Sequence, residues 1–319
     1  MRRMLVVSLL TLVFCQYAMG QKNVIIREKN VVFAEKDSVK LKMDIYMCGD
    51  CGENYVKKPE TIIYVFGGGF LSGSKEDSIT VQYCTQMAER GYTTIAIDYR
   101  LGMKGKKVSG VAFIKAIENA IRMATEDLSS AVAFLIKNGH EWGIDPNKIV
   151  ITGCSAGAIT CLQTDYCHAR GSEWTKELPE NFRFAGVMAY AGAIFSREGK
   201  LDYTKHAPAP TLMYHGTEDK MVNYSGIQFG NLGFFGSSKV VERFKKYEYP
   251  YYLRRFEGLK HEVAIFGNVY IDEQEWFIEN YIRKGKNWML DETFRDKDYK
   301  KTGRWNGTMK DLMKEESNK

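Results

Sequence analysis

Along the 319-residue chain, apolar positions fall into short compact runs separated by longer amphipathic stretches. Asn23–Phe33 and Val39–Tyr46 read as an opening antiparallel pair joined by Glu35-Lys36-Asp37-Ser38. Five runs without alternation follow: Thr61–Phe66, Thr93–Asp98, Lys148–Thr152, Ala185–Tyr190 and Pro210–Tyr214. Strands buried on both faces have this character, because neither face can carry polar side chains. Between them lie helical patterns, the clearest with Leu128, Ala131, Val132, Leu135 and Ile136 on one face and Gly139 as its stop. Strands separated by helices predict an α/β fold with a mostly parallel, doubly wound sheet and helices on both faces. No Pro/Ser-rich linker or repeat breaks residues 23–290, so residues 21–290 are expected to form one domain. Residues 291–319 are crowded with charge and are expected to be a solvated, partly ordered extension.

The first residues change how the cysteines are read. Arg2-Arg3, the apolar run Met4–Phe14 and the small-residue pattern Ala18-Met19-Gly20 before Gln21 have the three parts of a secretory signal peptide, residues 1–20. The run is too short to span a bilayer. A lipid-anchoring signal would want a small residue before Cys15, where Phe14 stands. Cleavage near Gly20-Gln21 would export the protein, periplasmic or secreted, with six of its seven cysteines in an oxidising space. Cys48 with Cys51, and Cys161 with Cys167, are then candidate pairs, their connectivity left open by spacing alone. No second ligand pair suggests zinc, and no cofactor motif is evident.

Composition adds limits. With 45% hydrophobic, 13% aromatic and 26% charged residues, the chain is neither disordered nor low in complexity. Its net charge of +6 falls to +4 without Arg2 and Arg3, too weak and diffuse a balance to suggest a nucleic-acid partner.

Chemistry enters where the run Lys148–Thr152 leads into Gly153-Cys154-Ser155-Ala156-Gly157 and a helix-like stretch, Ala158–Tyr166. The pattern G-x-S-x-G between strand and helix is a nucleophile elbow: a strained turn holds the serine hydroxyl above the sheet, and flanking glycines admit close backbone. A thiol at the elbow's centre would make a rival nucleophile, but Cys154 is off-centre and reads as a small packing residue.

A serine needs a base, and the base an acid, in the chain order Ser, acid, His. Pro210–Tyr214 ends in His215-Gly216-Thr217-Glu218-Asp219, with Asp219 placed as the acid and Glu218 its competitor. His261 follows a final strand, Tyr251–Phe256, through Glu257-Gly258-Leu259-Lys260, and is the candidate base. His215 reads as a loop-shaping residue; His168 and His206 read as surface residues. An oxyanion needs donors. Gly67-Gly68-Gly69-Phe70, at the end of an early strand, can present bare backbone N–H groups, and no Lys-Ser/Thr follows to make it a phosphate loop.

Over about residues 35–285 the chain resembles the secreted α/β-hydrolase esterases of the hormone-sensitive-lipase and feruloyl-esterase-like (BD-FAE) groups. The resemblance rests on Gly67-Gly68-Gly69-Phe70, Asp98-Tyr99-Arg100-Leu101, the elbow at Ser155, His215-Gly216-Thr217-Glu218-Asp219 and His261. It implies a serine carboxylesterase with a Ser155–Asp219–His261 triad, and oxyanion donors from the backbone of Gly68, Gly69 and Ala156. It also implies that Asp98-Tyr99-Arg100 shapes the loops beneath. Phe66 stands where the family's glycine motif opens with a histidine that orders the loop. Export and 19 tyrosines suggest an acetyl- or feruloyl-decorated xylan or oligosaccharide as substrate. A lipase of the same fold and a catalytically impaired binding protein are the alternatives; a mean hydropathy of −0.33 and the lack of an amphipathic lid speak against the lipase. The Gly- and Phe-rich stretch Asn223–Pro250 is expected to line the acyl pocket, fold over it, or pack on the scaffold.

Overall fold

Nine strands share one sheet, which is antiparallel at its N-terminal edge and parallel through the rest. The structure, a computed structural model, describes residues 24–50 and 56–296 together with Thr308 and Asp311. The expected signal peptide, its cleavage point, Cys15, Cys51 and most of the expected extension lie outside the described residues.

β1 (Val24–Lys36) and β2 (Val39–Asp50) form the antiparallel ribbon, turning at Asp37 and Ser38, both in the left-handed region. β2 then pairs antiparallel with β4 (Thr93–Ile97). From β4 onward every pair in the sheet is parallel, through β3 (Thr61–Val65), β5 (Ile149–Cys154), β6 (Gly186–Tyr190), β8 (Thr211–Gly216), β11 (Tyr251–Phe256) and β12 (Met289–Phe294). Every residue of β3, β4, β5, β6 and β8 is buried, as strands covered on both faces require. The helices are α1 (Ser78–Glu89), α2 (Gly110–Asn138), α3 (Ala156–Arg170), α4 (Ser237–Tyr247) and α5 (Ile271–Phe277). α2 does not stop in a left-handed turn at Gly139. That residue has φ −64°, the chain tightens through a 3₁₀ turn over Gly139–Trp142, and Gly143 (φ 67°) ends it.

Two expectations about the chain's last third change. The strand Tyr251–Phe256 is not the final one, because β12 adds to its outer edge, starting two residues before the segment expected to be an extension and running into it. Its charges are committed across the pair: Glu292 accepts from the Tyr252 hydroxyl at 2.7 Å and Arg254 Nε at 3.0 Å, and Asp291 pairs with Lys245 and Arg255. Cross-strand pairs of this kind let a polar, half-exposed edge strand form without an apolar pattern. The Gly- and Phe-rich stretch supplies two strands, β9 (Ile227–Phe229) and β10 (Leu232–Gly236), which join β7 (Ala193–Ser196) in a second sheet of order β7-β10-β9. β7 begins three residues beyond the end of β6, so this sheet stands at the C-terminal edge of the large one. Phe235 is buried against the scaffold, whereas Phe229 is 87% exposed.

The cysteines also separate. Cys48 is disulfide-bonded, whereas Cys84, Cys154, Cys161 and Cys167 are free and buried. Cys161 and Cys167 cannot pair because both lie on α3. Six residues of helix put them about 9 Å apart along the axis, beyond the span of a disulfide. Among the described residues no helix is long and apolar enough to cross a membrane.

Candidate active site

The elbow is set by how closely β3 approaches β5. A Cβ on Gly157 would sit 1.9 Å from the Val65 carbonyl oxygen, and one on Gly153 2.6 Å from the same atom, so neither position has room for a side chain. Between them Ser155 adopts φ 51°, ψ −117°, a strained conformation for a residue with a side chain. The turn is pinned from both sides, by the Ser155 N–H donating to Tyr190 O (2.8 Å) and the Ile159 N–H to Ser155 O (2.9 Å). Strain held by its surroundings in this way lifts Oγ above the end of β5.

His261 opens the 3₁₀ segment His261–Asn268 after β11, and its Nε2 lies 2.8 Å from Ser155 Oγ. Its Nδ1 lies 2.7 Å from Asp219 Oδ2. Asp219 follows β8, and its other oxygen accepts from the Met221 and Val222 amides at 2.9 and 3.0 Å. The loops carrying the two residues are knitted together: Thr217 N–H donates to Phe256 O, Glu218 N–H to Leu259 O, and Gly258 N–H to Thr217 Oγ1. All three side chains are buried, Ser155 at 9%, Asp219 at 2% and His261 at 2% exposure. Burial alone would raise the Asp219 carboxyl, but hydrogen bonds from His215 and His261 outweigh it and hold its pKa well below the usual carboxylate range. Glu218 is exposed, outside this line.

Around the serine stand the glycines. Gly68 has φ 111°, and a Cβ there would lie 2.1 Å from Ser72 O. The carbonyl of Gly68 accepts from Leu71 and Ser72 amides, closing the loop on itself. Among the described residues, the amides of Gly68, Gly69 and Ala156 have no acceptor within the protein, as donors reserved for a substrate oxygen would. The departure at Phe66 has a structural answer. Its ring stacks on Tyr99, 4.4 Å between centroids, and the Tyr99 hydroxyl donates to Phe66 O at 3.0 Å. An aromatic pair and one hydroxyl thus hold the strand end that a histidine would otherwise order. Next to it, the Arg100 guanidinium and amide N–H both bond the buried Asp127 carboxylate, anchoring the same loop to α2.

Other candidates lie elsewhere. Cys154 is buried, and burial pushes its thiol pKa up, so it remains a neutral packing group beside the serine. His168 is not a surface residue: it is 5% exposed, packed beside Phe182 and Phe184, with Nε2 2.9 Å from Phe182 O, and burial lowers its pKa. Thirteen residues along α3 from Ser155, it stands about 20 Å along the helix from the elbow. His206 is half-buried against it. His215 is fully buried at the end of β8, with Nε2 2.8 Å from Val222 O and Nδ1 2.8 Å from Ser237 Oγ. Its adjacency to the acid was not evident from spacing, although it shares a five-residue motif with Asp219. No cluster of three or more His, Cys, Asp or Glu among the described residues could hold a metal ion.

Residues 43–194 match the BD-FAE family model. Over that segment the chain is similar to the BD-FAE family, and its fold is that of an α/β-hydrolase. The matched segment holds the glycine loop and Ser155, whereas Asp219 and His261 lie beyond it. The chain is similar to gut esterase 1 of Caenorhabditis elegans, 27% identical over 124 residues, which are 37% of this chain and 21% of that protein. It is also similar to fumonisin B1 esterase of Sphingopyxis macrogoltabida, 30% identical over 99 residues, or 30% and 18% of the two chains. It thus spans about a fifth of the length of these curated relatives. Esterase 2 of Thermogutta terrifontis phosphoramylated by tabun superposes with a TM-score of 0.57 at 23% identity, covering 83% of this chain and 97% of that one. The native form of that esterase gives 0.55 at 22% identity, covering 82% and 93%.

Proposed function

We propose that this protein hydrolyses carboxylic esters through an acyl-enzyme on Ser155. The observation that carries the reading is the unbroken line from Ser155 Oγ through His261 to Asp219, at 2.8 and 2.7 Å. In the first half-reaction His261 Nε2 takes the hydroxyl proton as Oγ attacks the ester carbonyl carbon. Asp219, kept ionised, holds the ring with its proton on Nδ1 and stabilises the imidazolium that forms. Negative charge gathers on the carbonyl oxygen, toward which the Gly68, Gly69 and Ala156 amides donate. As the C–O bond to the alcohol breaks, His261 returns its proton to the departing oxygen. Water then repeats the sequence on the acyl-enzyme, releasing the acid and restoring the serine.

The similar proteins named as esterases support this chemistry. For the substrate we infer a small or oligosaccharide-borne ester, with acetyl and feruloyl groups as the acyl class. Support comes from the leader-like residues 1–20, which point to a periplasmic or secreted enzyme, and from the BD-FAE match. The test is turnover of a short-chain p-nitrophenyl ester beside Ser155→Ala. Wild-type hydrolysis at least a thousandfold above the variant is expected. Equal rates would overturn the reading. A panel of acetylated, feruloylated and longer-chain esters, ranked by kcat/KM, then tests the acyl class.

A further inference from the structure

We propose that His215 is a positioning residue for Asp219, acting on the acid through the backbone of the turn that follows it; the inference rests on the ester-hydrolase reading above. The Val222 carbonyl, 2.8 Å from His215 Nε2, can only accept, so Nε2 carries the proton. In the neutral imidazole Nδ1 is then bare and accepts from the Ser237 hydroxyl at 2.8 Å. The ring is thereby fixed in one tautomer and one orientation, from β8 on one side and the first residue of α4 on the other. Tyr224 packs edge-on against the imidazole at 5.4 Å between centroids, leaving it no room to swing.

Fixing Val222 has a direct effect on the acid. The residue whose carbonyl His215 holds is the residue whose amide, with that of Met221, bonds Asp219 Oδ1. His215 therefore closes a ring of contacts, from its own Nε2–H to Val222 O, across the Cα of Val222 to the amide that bonds Asp219 Oδ1, and back along the turn His215-Gly216-Thr217-Glu218-Asp219. The same Nε2 stands 3.4 Å from Asp219 Oδ2, at the outer limit of a hydrogen bond, so its proton also faces the carboxylate edge used by His261. With Oδ1 committed, Oδ2 has one strong partner, His261 Nδ1. A carboxylate free to rotate would share that bond between two oxygens and lose the fixed direction on which the base depends. Misplacement on that scale costs up to about a hundredfold in rate.

His215→Ala removes the donor, His215→Gln returns an amide N–H near the position of Nε2, and Ser237→Ala leaves the imidazole but releases its tautomer. We expect His215→Ala to lower kcat about 10- to 100-fold with KM within twofold, because His215 does not touch the ester. His215→Gln should recover most of that loss, and Ser237→Ala should fall between. A readout independent of turnover is the far-downfield proton NMR resonance of His261 Nδ1–H, assigned by its absence in His261→Gln. It should be sharp in wild type and His215→Gln, and broadened or lost in His215→Ala. Should His215→Ala fail to fold, Ser237→Ala carries the same test, with a broadened resonance expected. An unchanged resonance in a folded His215→Ala, or in Ser237→Ala where that variant stands in, overturns the inference. So does a kcat within twofold of wild type in an active enzyme. A wild-type protein no faster than Ser155→Ala overturns the ester-hydrolase reading instead, and the resonance still decides the role of His215.

Discussion

Asp219 Oδ2 stands 2.7 Å from His261 Nδ1 while Asp219 Oδ1 is occupied by two backbone amides, so the carboxylate offers the imidazole one oxygen in one direction. Its competitor, Glu218, is exposed on the other side of the same turn. Asp219→Asn should therefore lower kcat for a p-nitrophenyl ester by about 10³–10⁴-fold, since an amide can turn its N–H toward Nδ1 and impose the wrong tautomer. Glu218→Gln should leave kcat within twofold. Steady-state kinetics on the two variants decides between the acids, and a large loss confined to Glu218→Gln would reverse the assignment.

The glycine loop rests on Tyr99. Its hydroxyl bonds Phe66 O and its ring stacks on Phe66, so Tyr99→Phe removes the hydrogen bond and keeps the stack. The Phe66 carbonyl is then left without that donor in a buried site, a loss of about 1–3 kcal/mol. In the proposed mechanism the loop presents the oxyanion amides, so kcat should fall roughly tenfold with KM little changed, alongside a lower Tm. Equal kcat in the variant, measured below its Tm, would show that the loop needs no such support.

Arg100 and Asp127 make a sharper stability test. Asp127 is fully buried and takes the Arg100 amide at 2.8 Å and the guanidinium at 2.7–3.0 Å. Arg100→Met strands a carboxylate whose nearest remaining cation, Lys36 Nζ, is 3.8 Å away. Urea denaturation should show a loss of about 3–5 kcal/mol, and Arg100→Met with Asp127→Leu should be milder than the single change, since no buried charge is then unpaired.

How much of this was legible in the sequence depends on what each residue must do. Strands β3, β4, β5, β6 and β8 announced themselves because burial on both faces leaves no polar position, and the elbow because Gly153 and Gly157 must be bare beneath Val65. Ser155, Asp219 and His261 sit at strand ends, where sequence order and fold topology constrain each other. β12 was hidden because an edge strand answers to its one neighbour: Asp291 and Glu292 look like solvated charge until Tyr252, Arg254, Arg255 and Lys245 are placed beside them. His168 was misread for a related reason. A lone histidine carries no mark of burial, and only the fold brings Phe182 and Phe184 around it. The Phe66–Tyr99 stack joins residues 33 positions apart, just past the ends of two different strands, a contact that no local pattern encodes.

Asp165 gives a prediction in pH. It is buried on α3, with the Ala209 amide at 3.1 Å on Oδ2, and burial pushes its pKa up to about 7, opposed by that amide and by the charge of Arg183. The unfolded value is about 3.9, so between roughly pH 4 and 7 the folded protein holds a proton that the unfolded chain has released. The stability derivative with pH is then negative for this group: its contribution is fully present below pH 4 and is lost as pH rises through 7. The loss amounts to a few kcal/mol at most, on the order of the 1.4 kcal/mol that accompanies each tenfold change in proton affinity. Asp165→Asn keeps an acceptor for the Ala209 amide and cannot ionise. The variant should be close to wild type in urea midpoint near pH 4 and more stable than wild type at pH 8, the gap opening across roughly pH 4–7 and staying level above it. A constant difference between the two proteins over that range would mean that Asp165 is charged at all these pH values and that its burial is compensated elsewhere.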